Sequence, residues 1–207
     1  LKEPNNPRIH RLRVIHLYEA DFNLLLGVKW RNIIHHSLDN DTLHRSQYGG
    51  LPGQESLLPV FIKEMQNEIA RASRKPYIKQ DFDATSSYDR IIPWMESMLS
   101  RSHGLHQNVC LVHARTLQEA QYLLKTQLGV SEAFYSHCRA FPIYGTGQRS
   151  GNSPMIWCFI SSMLFTIHQE QAIGATYTSP DKTISVRLFM VGFVDDTYGS
   201  VNDFSRT

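Results

Sequence analysis

The chain has 207 residues, of which 42% are hydrophobic and 19% charged, and its formal net charge is +2. A chain of this size and composition can bury a hydrophobic core, which excludes an intrinsically disordered protein. The small net charge permits nucleic-acid binding but does not by itself indicate it, because a dedicated nucleic-acid binder usually shows a basic face.

The cysteines and the apolar segments indicate in which cellular compartment the protein resides. Cys110, Cys138 and Cys158 are odd in number and widely spaced, which indicates buried free thiols in a reducing, intracellular setting. No signal peptide opens the sequence, and the most apolar window, residues 155–167, is too short to span a bilayer. We therefore expect no membrane contact. Because residue 1 is Leu and a strand-like segment ends close to Thr207, we also expect a piece truncated at both ends.

The first half of the chain alternates between strand-like and helical patterns. The predicted order is a strand with a cationic face, a helix, a loop of turn formers and a second helix, at residues 8–18, 20–38, 46–56 and 55–74. The second helix is expected to pack on a core through an apolar stripe that repeats every four residues, at Leu57, Phe61, Met65 and Ile69.

The second half contains the most apolar segments. The pattern predicts strands at residues 76–84, 132–145, 174–179 and 184–194, helices at residues 86–102, 107–128 and 153–168, and a tight turn at residues 195–199. Pro93 is tolerable only near the first turn of its helix. Ser153 and Pro154 form a cap-then-proline entry to the last helix, and Gly129 closes the helix before it. Because strands and helices alternate irregularly, we expect an α+β fold with an antiparallel sheet backed by helices.

Two acidic clusters lie at the ends of predicted strands. Asp195 and Asp196 follow an apolar run, and Asp81, Asp83 and Asp89 lie where a strand passes into a helix. A solvated turn would also account for two adjacent aspartates, since Asp caps local backbone groups. The alternative is a metal site, because clustered carboxylates bind hard cations such as Mg2+. Two such sites could meet on neighbouring strands and hold two ions about 3.5–4 Å apart for phosphoryl transfer.

Three motifs in this chain resemble the palm of reverse transcriptases, especially those of non-LTR retrotransposons. They are DATSSYD with Asp83 and Tyr88, QRSGNSP with Gln148, and FVDD with Asp195 and Asp196. They occur in the family's order and on matching predicted elements. The segment LRVIHL, through Arg13, loosely resembles a strand of the family's fingers, and QYGGLPGQES resembles the loop that precedes the first motif.

The resemblance covers residues 8–204 and implies one continuous domain, with a fingers-like segment at 1–75 and a right-hand polymerase palm at 76–207. It implies an RNA-directed DNA polymerase that transfers a nucleotide from a dNTP to the 3′-hydroxyl of a DNA primer on an RNA template. Asp83 and Asp195 would be the principal ligands of two Mg2+ ions, with Mn2+ as a substitute. Asp196 would be an auxiliary catalytic carboxylate that also faces the metals.

The resemblance also assigns three nucleotide-binding residues. Tyr88 would lie beneath the incoming sugar as a steric gate against ribonucleotides. Gln148 would contact the nucleotide or the template. Arg13 would hold the triphosphate, for which a planar guanidinium is well suited.

The sequence departs from the family in ways that leave an alternative open. Arg149 stands where the family usually has a glycine that lets the backbone approach nucleic acid, and Val14 stands where it prefers proline. We expect the thumb and any endonuclease, RNase H or integrase segment to be absent. The alternative is a degenerate or repurposed domain that binds nucleic acid or a protein partner without catalysis.

A second metal site is also possible from spacing alone. His103, His106, Cys110 and His113 recur at intervals of three and four residues, which would place them on one helix face for zinc. Gly104 interrupts that helix, and a structural zinc site usually joins two separate ligand pairs.

Overall fold

The computed structural model describes residues 16–202 apart from 75, 85–86, 141 and 148. This part of the chain is a mixed α+β structure with five α-helices and small antiparallel sheets. The strand predicted at residues 8–18 falls mainly outside the described residues, and residues 16–18 are not in a strand.

Each of the five α-helices was predicted, and the first, second and fifth agree with their predicted bounds to within three residues. Pro93 begins its helix because its missing N–H and fixed φ suit the first turn, so the helix predicted from residue 86 starts later, after a short 3-10 helix at Ser87–Arg90. The α-helices are α1 Ala20–Asp39, α2 Leu57–Ser73, α3 Pro93–Ser102, α4 Gln107–Glu119 and α5 Ser153–Gln171.

The strands form four small antiparallel sheets in the described residues. The largest has the order β1-β9-β8, and the other three are the pairs β2-β5, β3-β4 and β6-β7. The strand bounds are β1 Ile78–Asp83, β2 Gln121–Tyr122, β3 Lys125–Thr126, β4 Gly129–Val130, β5 Tyr135–Ser136, β6 Ala175–Thr178, β7 Ser185–Leu188, β8 Met190–Phe193 and β9 Asp196–Val201.

Besides the late start of α3, four predictions for the second half of the chain were wrong. The tight turn predicted at 195–199 is limited to residues 194–195, because β9 begins at Asp196. The helix predicted at 107–128 ends at Glu119, because Tyr122 pairs and stacks with Tyr135 in a narrow ribbon instead of continuing the helix. The strand predicted at 132–145 is reduced to β5. The strand predicted at 184–194 divides at Phe189 into β7 and β8, which pair with different neighbours. Cross-strand pairing therefore overrode local periodicity at residues 120–128 and 184–194.

The prediction that the apolar stripe of α2 packs on the core was also wrong. Leu57 and Phe61 are 70% and 61% exposed, and Met65 and Ile69 are exposed as well. Residues four apart on a helix drift by about 40° per step, so such a stripe does not follow one straight face. The helix instead contacts the sheet through other residues: the Tyr198 hydroxyl donates to the Pro59 carbonyl at 3.4 Å.

The hydrophobic core lies among α1, α3, α4 and α5. Trp30, Ile34, Ile156 and Phe159 are nearly or fully buried within it. Gly27 of α1 lies against the backbone of residue 151, which allows the two segments a close approach. This helical layer supports α5, and α5 in turn contacts β8 of the largest sheet.

The cysteines and the helices bear on the expected compartment. Cys110 and Cys158 are free and buried, whereas Cys138 is free but exposed, contrary to the expectation for that residue. Burial raises the pKa of the Cys110 thiol to about 11 and that of Cys158 to about 12. None of the helices in the described part of the chain has the length and apolarity needed to cross a bilayer.

Candidate active site

The acidic residues of the two strand ends lie on neighbouring strands. In the β1-β9 ladder, Asp83 is directly opposite Asp196, at the end of the sheet where β8 turns into β9. Directly opposed residues project from the same face, with Cβ atoms about 4.5–5.5 Å apart. The carboxylates of Asp83 and Asp196 are both on exposed residues. The register therefore makes them immediate cross-strand neighbours, an arrangement that is unfavourable for two like charges.

Asp195 occupies the turn beside this pair. Val194 and Asp195 form the two-residue connection between β8 and β9, and Phe193 pairs with Asp196 across it. The Ser87 hydroxyl donates to Asp195 Oδ2 at 3.3 Å. Because Ser87 follows Asp83 by four residues, this bond joins the turn to the segment that leaves β1. All three predicted carboxylates thus belong to one corner of the sheet.

Tyr88 lies close enough to this corner for the charge of Asp195 to affect the pKa of its hydroxyl. Burial and then the negative charge of Asp195 raise the pKa of the Tyr88 hydroxyl to about 12. Its ring is tilted against Trp157 of α5, with centroids 6.1 Å apart. The phenol is therefore neutral at physiological pH and half-buried between the turn and the helix.

The β8-β9 turn is held in an unfavourable conformation by its surroundings. Val194 has φ +55°, a region that a β-branched residue rarely adopts and that glycine normally occupies in such a turn. The Trp157 indole N–H donates to the Val194 carbonyl. The Cys158 thiol donates to the Gly49 carbonyl at 2.9 Å. Neighbouring groups on α5 thus fix both the turn and the loop packed against it.

That loop, residues 46–51, runs along the free edge of β8. Tyr48 N–H donates to the Gly192 carbonyl and Gly192 N–H donates to the Ser46 carbonyl, each at 2.9 Å. Gly49 touches the turn so closely that a Cβ there would lie 2.6 Å from Val194 Cγ2. The glycine-rich loop singled out in the sequence therefore buttresses the carboxylate turn, and Gly49 is required for that contact.

The segment between residues 145 and 152 leads into α5 on the other side of Tyr88. Gly145 N–H donates to the Ile91 carbonyl at 2.7 Å, and Thr146 N–H donates to the Tyr88 carbonyl at 3.0 Å. Ser153, predicted as the helix cap, lies in the first turn and donates to the Gly147 carbonyl at 2.7 Å, while Asn152 takes the cap position.

Arg149 in this segment has φ +75° and is exposed. An L-residue pays about 1–2 kcal/mol for this left-handed conformation, whereas glycine adopts it freely. Arg149 therefore replaces the glycine of the family pattern at a position where the backbone conformation also favours glycine.

Replacing Arg149 by Gly is expected to stabilise the fold. Relief of the left-handed strain, less the extra entropy of glycine in the unfolded chain, leaves a gain of about 0.5–1 kcal/mol. This corresponds to a rise of roughly 1–4 °C in Tm, measured by thermal unfolding. Arg139→Gly is the matched control, because Arg139 is also exposed but has no positive φ. An equal loss of stability in both variants would contradict this account.

Asp81 belongs to a separate contact. Lys63 Nζ of α2 lies 2.8 Å from Asp81 Oδ1, and this hydrogen bond and charge lower the pKa of the Asp81 carboxyl. The pair is half-exposed, as expected for a salt-bridged rather than a ligating aspartate. It borders a cleft of about 440 Å3 between α2 and the face of the sheet that carries Asp83 and Asp196.

The zinc arrangement does not form. His106 Nδ1 accepts the Asn108 N–H at the start of α4, the His103 ring stacks on Phe159, and Cys110 is buried in the core. His113 is paired with Glu96. Within the residues that the structure describes, no three His, Cys, Asp or Glu side chains are already gathered as a metal cluster, and this includes the carboxylate corner.

Two predicted nucleotide-binding residues, Arg13 and Gln148, lie outside the described residues. Conversely, sequence reasoning did not single out Ser87, Trp157 or Gly49 as parts of the site. Ser87 falls inside the DATSSYD motif and Gly49 inside the loop that resembles a family segment. Both residues therefore lie in sequence motifs that had already been identified. Trp157 gave no separate signal, because an aromatic residue in an apolar helix is typical of a core.

Comparison with known proteins gives a similarity of fold. No family model and no curated protein matches the chain. Among solved structures, the chain is similar to telomerase from Candida tropicalis in complex with the TWJ fragment of telomeric RNA, with 13% sequence identity and a TM-score of 0.53. The match covers 89% of this chain and 30% of the telomerase chain. This chain thus corresponds to less than a third of that protein.

Proposed function

We propose that this chain is the fingers and palm part of an RNA-directed DNA polymerase, which adds nucleotides from dNTPs to a DNA primer on an RNA template. The observation that carries the proposal is the carboxylate corner, where Asp83 opposes Asp196 and Asp195 occupies the adjoining turn. The fold-level similarity to a telomerase that was solved in complex with a fragment of telomeric RNA supports a nucleic-acid partner.

The residues at the corner suit divalent cations. Two opposed carboxylates destabilise a sheet unless their charge is offset, and carboxylate oxygens are the ligands that Mg2+ prefers. We propose that Asp83 and Asp195, with Asp196 beside them, hold two Mg2+ ions. When bound, such ions activate an attacking hydroxyl and stabilise the leaving oxygen in phosphoryl transfer.

The other residues of the corner would position the reactants. Ser87 donates to one oxygen of Asp195 and so restricts the rotation of that carboxylate. Trp157 holds the turn through the Val194 carbonyl. Tyr88, neutral and held against Trp157, would present its ring beneath the sugar of the incoming dNTP, where a 2′-hydroxyl would collide with it. The proposal needs no nucleophile from the protein, because the primer hydroxyl attacks and the protein contributes position and charge.

The second candidate is a palm that binds nucleic acid or a protein partner without catalysis. The left-handed Arg149 favours it, because its side chain lies where the family pattern has only a backbone. In that case the carboxylate corner would be a remnant, and its charges would affect stability alone.

The experiment that separates the two is single-nucleotide extension of a DNA primer on an RNA template, with Mg2+ and then Mn2+. A product that requires the metal and matches the template base supports the polymerase. If no product forms, the assay is repeated with Arg149→Gly, and restored extension would indicate an active site obstructed by the arginine. If the Arg149→Gly variant also forms no product but still binds the template-primer, the result would support the non-catalytic alternative.

A further inference from the structure

A carboxylate and an imidazole are buried together in the helical layer. Glu96 of α3 is 0% exposed and His113 of α4 is 1% exposed. His113 Nδ1 lies 3.1 Å from Glu96 Oε2, and the Ser100 hydroxyl donates to Glu96 Oε1 at 3.0 Å. Ser100 accepts the indole N–H of Trp30 at 3.2 Å. A buried carboxylate is costly unless its oxygens are satisfied, and here both accept hydrogen bonds.

The opposite side of the imidazole faces the entrance to α5. Asn152 Nδ2 lies 3.1 Å from His113 Nε2, and the Ser150 hydroxyl donates to Asn152 Oδ1 at 2.5 Å. Asn152 is 0% exposed and Ser150 is 3% exposed. The array therefore runs without a break from the helical core to the segment of residues 145–152.

The donors and acceptors of this array specify one form of His113. A carboxylate only accepts, so Nδ1 must carry the proton that lies between His113 and Glu96. The amide nitrogen of Asn152 only donates, so His113 Nε2 must be a bare acceptor. The array thus requires a neutral imidazole protonated on Nδ1. A protonated Nε2 would require the Asn152 amide to rotate and lose its present bond with Ser150.

The segment held by this array also carries Arg149, which is exposed. Ser150 N–H donates to the Gly147 carbonyl at 3.0 Å. Gly151 N–H donates to Asn23 Oδ1 at 2.6 Å. A displacement of Asn152 or Ser150 is therefore transmitted to the backbone of residues 149–151.

We infer that Glu96, His113 and Asn152 are positioning residues for the segment of residues 149–151, and that Glu96 acts by holding His113 in its Nδ1-protonated form. That this segment adjoins a nucleotide contact, predicted at Gln148, rests on the proposed function, but the hydrogen-bond array does not. Neither the carboxylate corner nor the zinc spacing accounts for this array.

The test uses Asn152→Asp, which keeps the size of the side chain and removes its donor. The first measurement is the protonation of His113 by 15N NMR of labelled histidine in the intact chain. The wild type should show a proton on Nδ1 and a bare Nε2, and the variant should show both nitrogens protonated. A wild-type His113 protonated on Nε2 would overturn the inference.

The second measurement separates positioning from general stability. In single-nucleotide extension, Asn152→Asp should raise KM for dNTP at least about tenfold while kcat changes by less than about threefold. Ser150→Ala, which adds no charge, should raise KM in the same direction. Ser37→Ala is the control, because Ser37 is a buried hydrogen-bonded serine of α1 outside the array. Unchanged KM in both test variants would overturn the positioning role.

A third measurement applies if the wild-type chain neither extends primers nor binds dNTP, which would be a failure of the proposed function alone. The amide hydrogens of Ser150 and Gly151 should then exchange at least about tenfold faster in Asn152→Asp and Ser150→Ala than in Ser37→Ala, after correction for global stability. Equal exchange in all three variants would overturn the inference independently of any activity.

Discussion

Replacing Asp195 by Asn is expected to reduce primer extension at least about a hundredfold while leaving the fold intact. Asparagine has the same shape and can still accept the Ser87 hydroxyl, so the turn should persist. What it lacks is the charge that would hold the cations, and such ions supply several kcal/mol of transition-state stabilisation. Extension rates in Mg2+ and the Tm of the variant measure the two effects separately.

The matched control for this change is Asp181→Asn. Asp181 is an exposed aspartate in the connection between β6 and β7, where it accepts hydrogen bonds from Ser179 and Thr183. It should leave extension unchanged within about twofold. Asp196→Asn, which removes the auxiliary carboxylate, should reduce extension by less than Asp195→Asn. Equal activity in the Asp195 and Asp181 variants would exclude the carboxylate corner from catalysis.

Replacing Gly49 by Ala is expected to cost about 3 kcal/mol of stability or more, which would unfold a marginal domain. The new Cβ would lie 2.6 Å from Val194 Cγ2 and 2.7 Å from the Phe193 carbonyl carbon, and closer still to the Val194 nitrogen. Backbone atoms cannot move aside as a flexible side chain can, so the cost should reach or exceed the usual range for overpacking, about 1–3 kcal/mol. Urea unfolding monitored by tryptophan fluorescence measures the loss.

Gly27→Ala provides the matched control for Gly49→Ala. A Cβ at Gly27 would meet the backbone of residue 151 at ordinary contact distances, the nearest atom at 3.7 Å. Because Gly27 lies inside α1, alanine should stabilise the helix by about 0.5–1 kcal/mol. If both alanine variants were equally stable, the loop of residues 46–51 would not pack against the β8-β9 turn as described.

The parts of the fold that the sequence predicts well are those in which local chemistry and tertiary structure agree. The α5 helix was predicted from a long apolar run behind Pro154, and β1 from a short strand pattern at residues 76–84. The juxtaposition of Asp83 with Asp196 was anticipated only as a possibility, because adjacency of two strands depends on pairing across more than a hundred residues. The structure supplies the register that the sequence lacks.

The sequence did not predict other features, because they depend on how helices and strands are oriented relative to one another. The stripe on α2 was recognised as a pattern, but a periodicity does not say which face of a helix turns inward, and Leu57 and Phe61 are exposed. The pairing of Tyr122 with Tyr135 ended α4 early, although residues 120–128 favour a helix locally. The hydrogen bonds of His113 with Glu96 and with Asn152 join three separate segments, and no short sequence motif predicts them. Conversely, Arg149 was noted as a departure from a family pattern, and its positive φ now gives a physical reason for the glycine.

The most direct test of the account is where a divalent cation binds. Paramagnetic Mn2+ added below stoichiometry to the 15N-labelled chain should first broaden the amide signals of residues 82–84 and 193–197, because the carboxylates of the corner are its expected ligands. This selectivity should disappear in Asp83→Asn. Broadening that begins at Asp181 or at Glu64 and Glu68 of α2, and that Asp83→Asn leaves unchanged, would contradict the assignment of Asp83, Asp195 and Asp196 as a metal site.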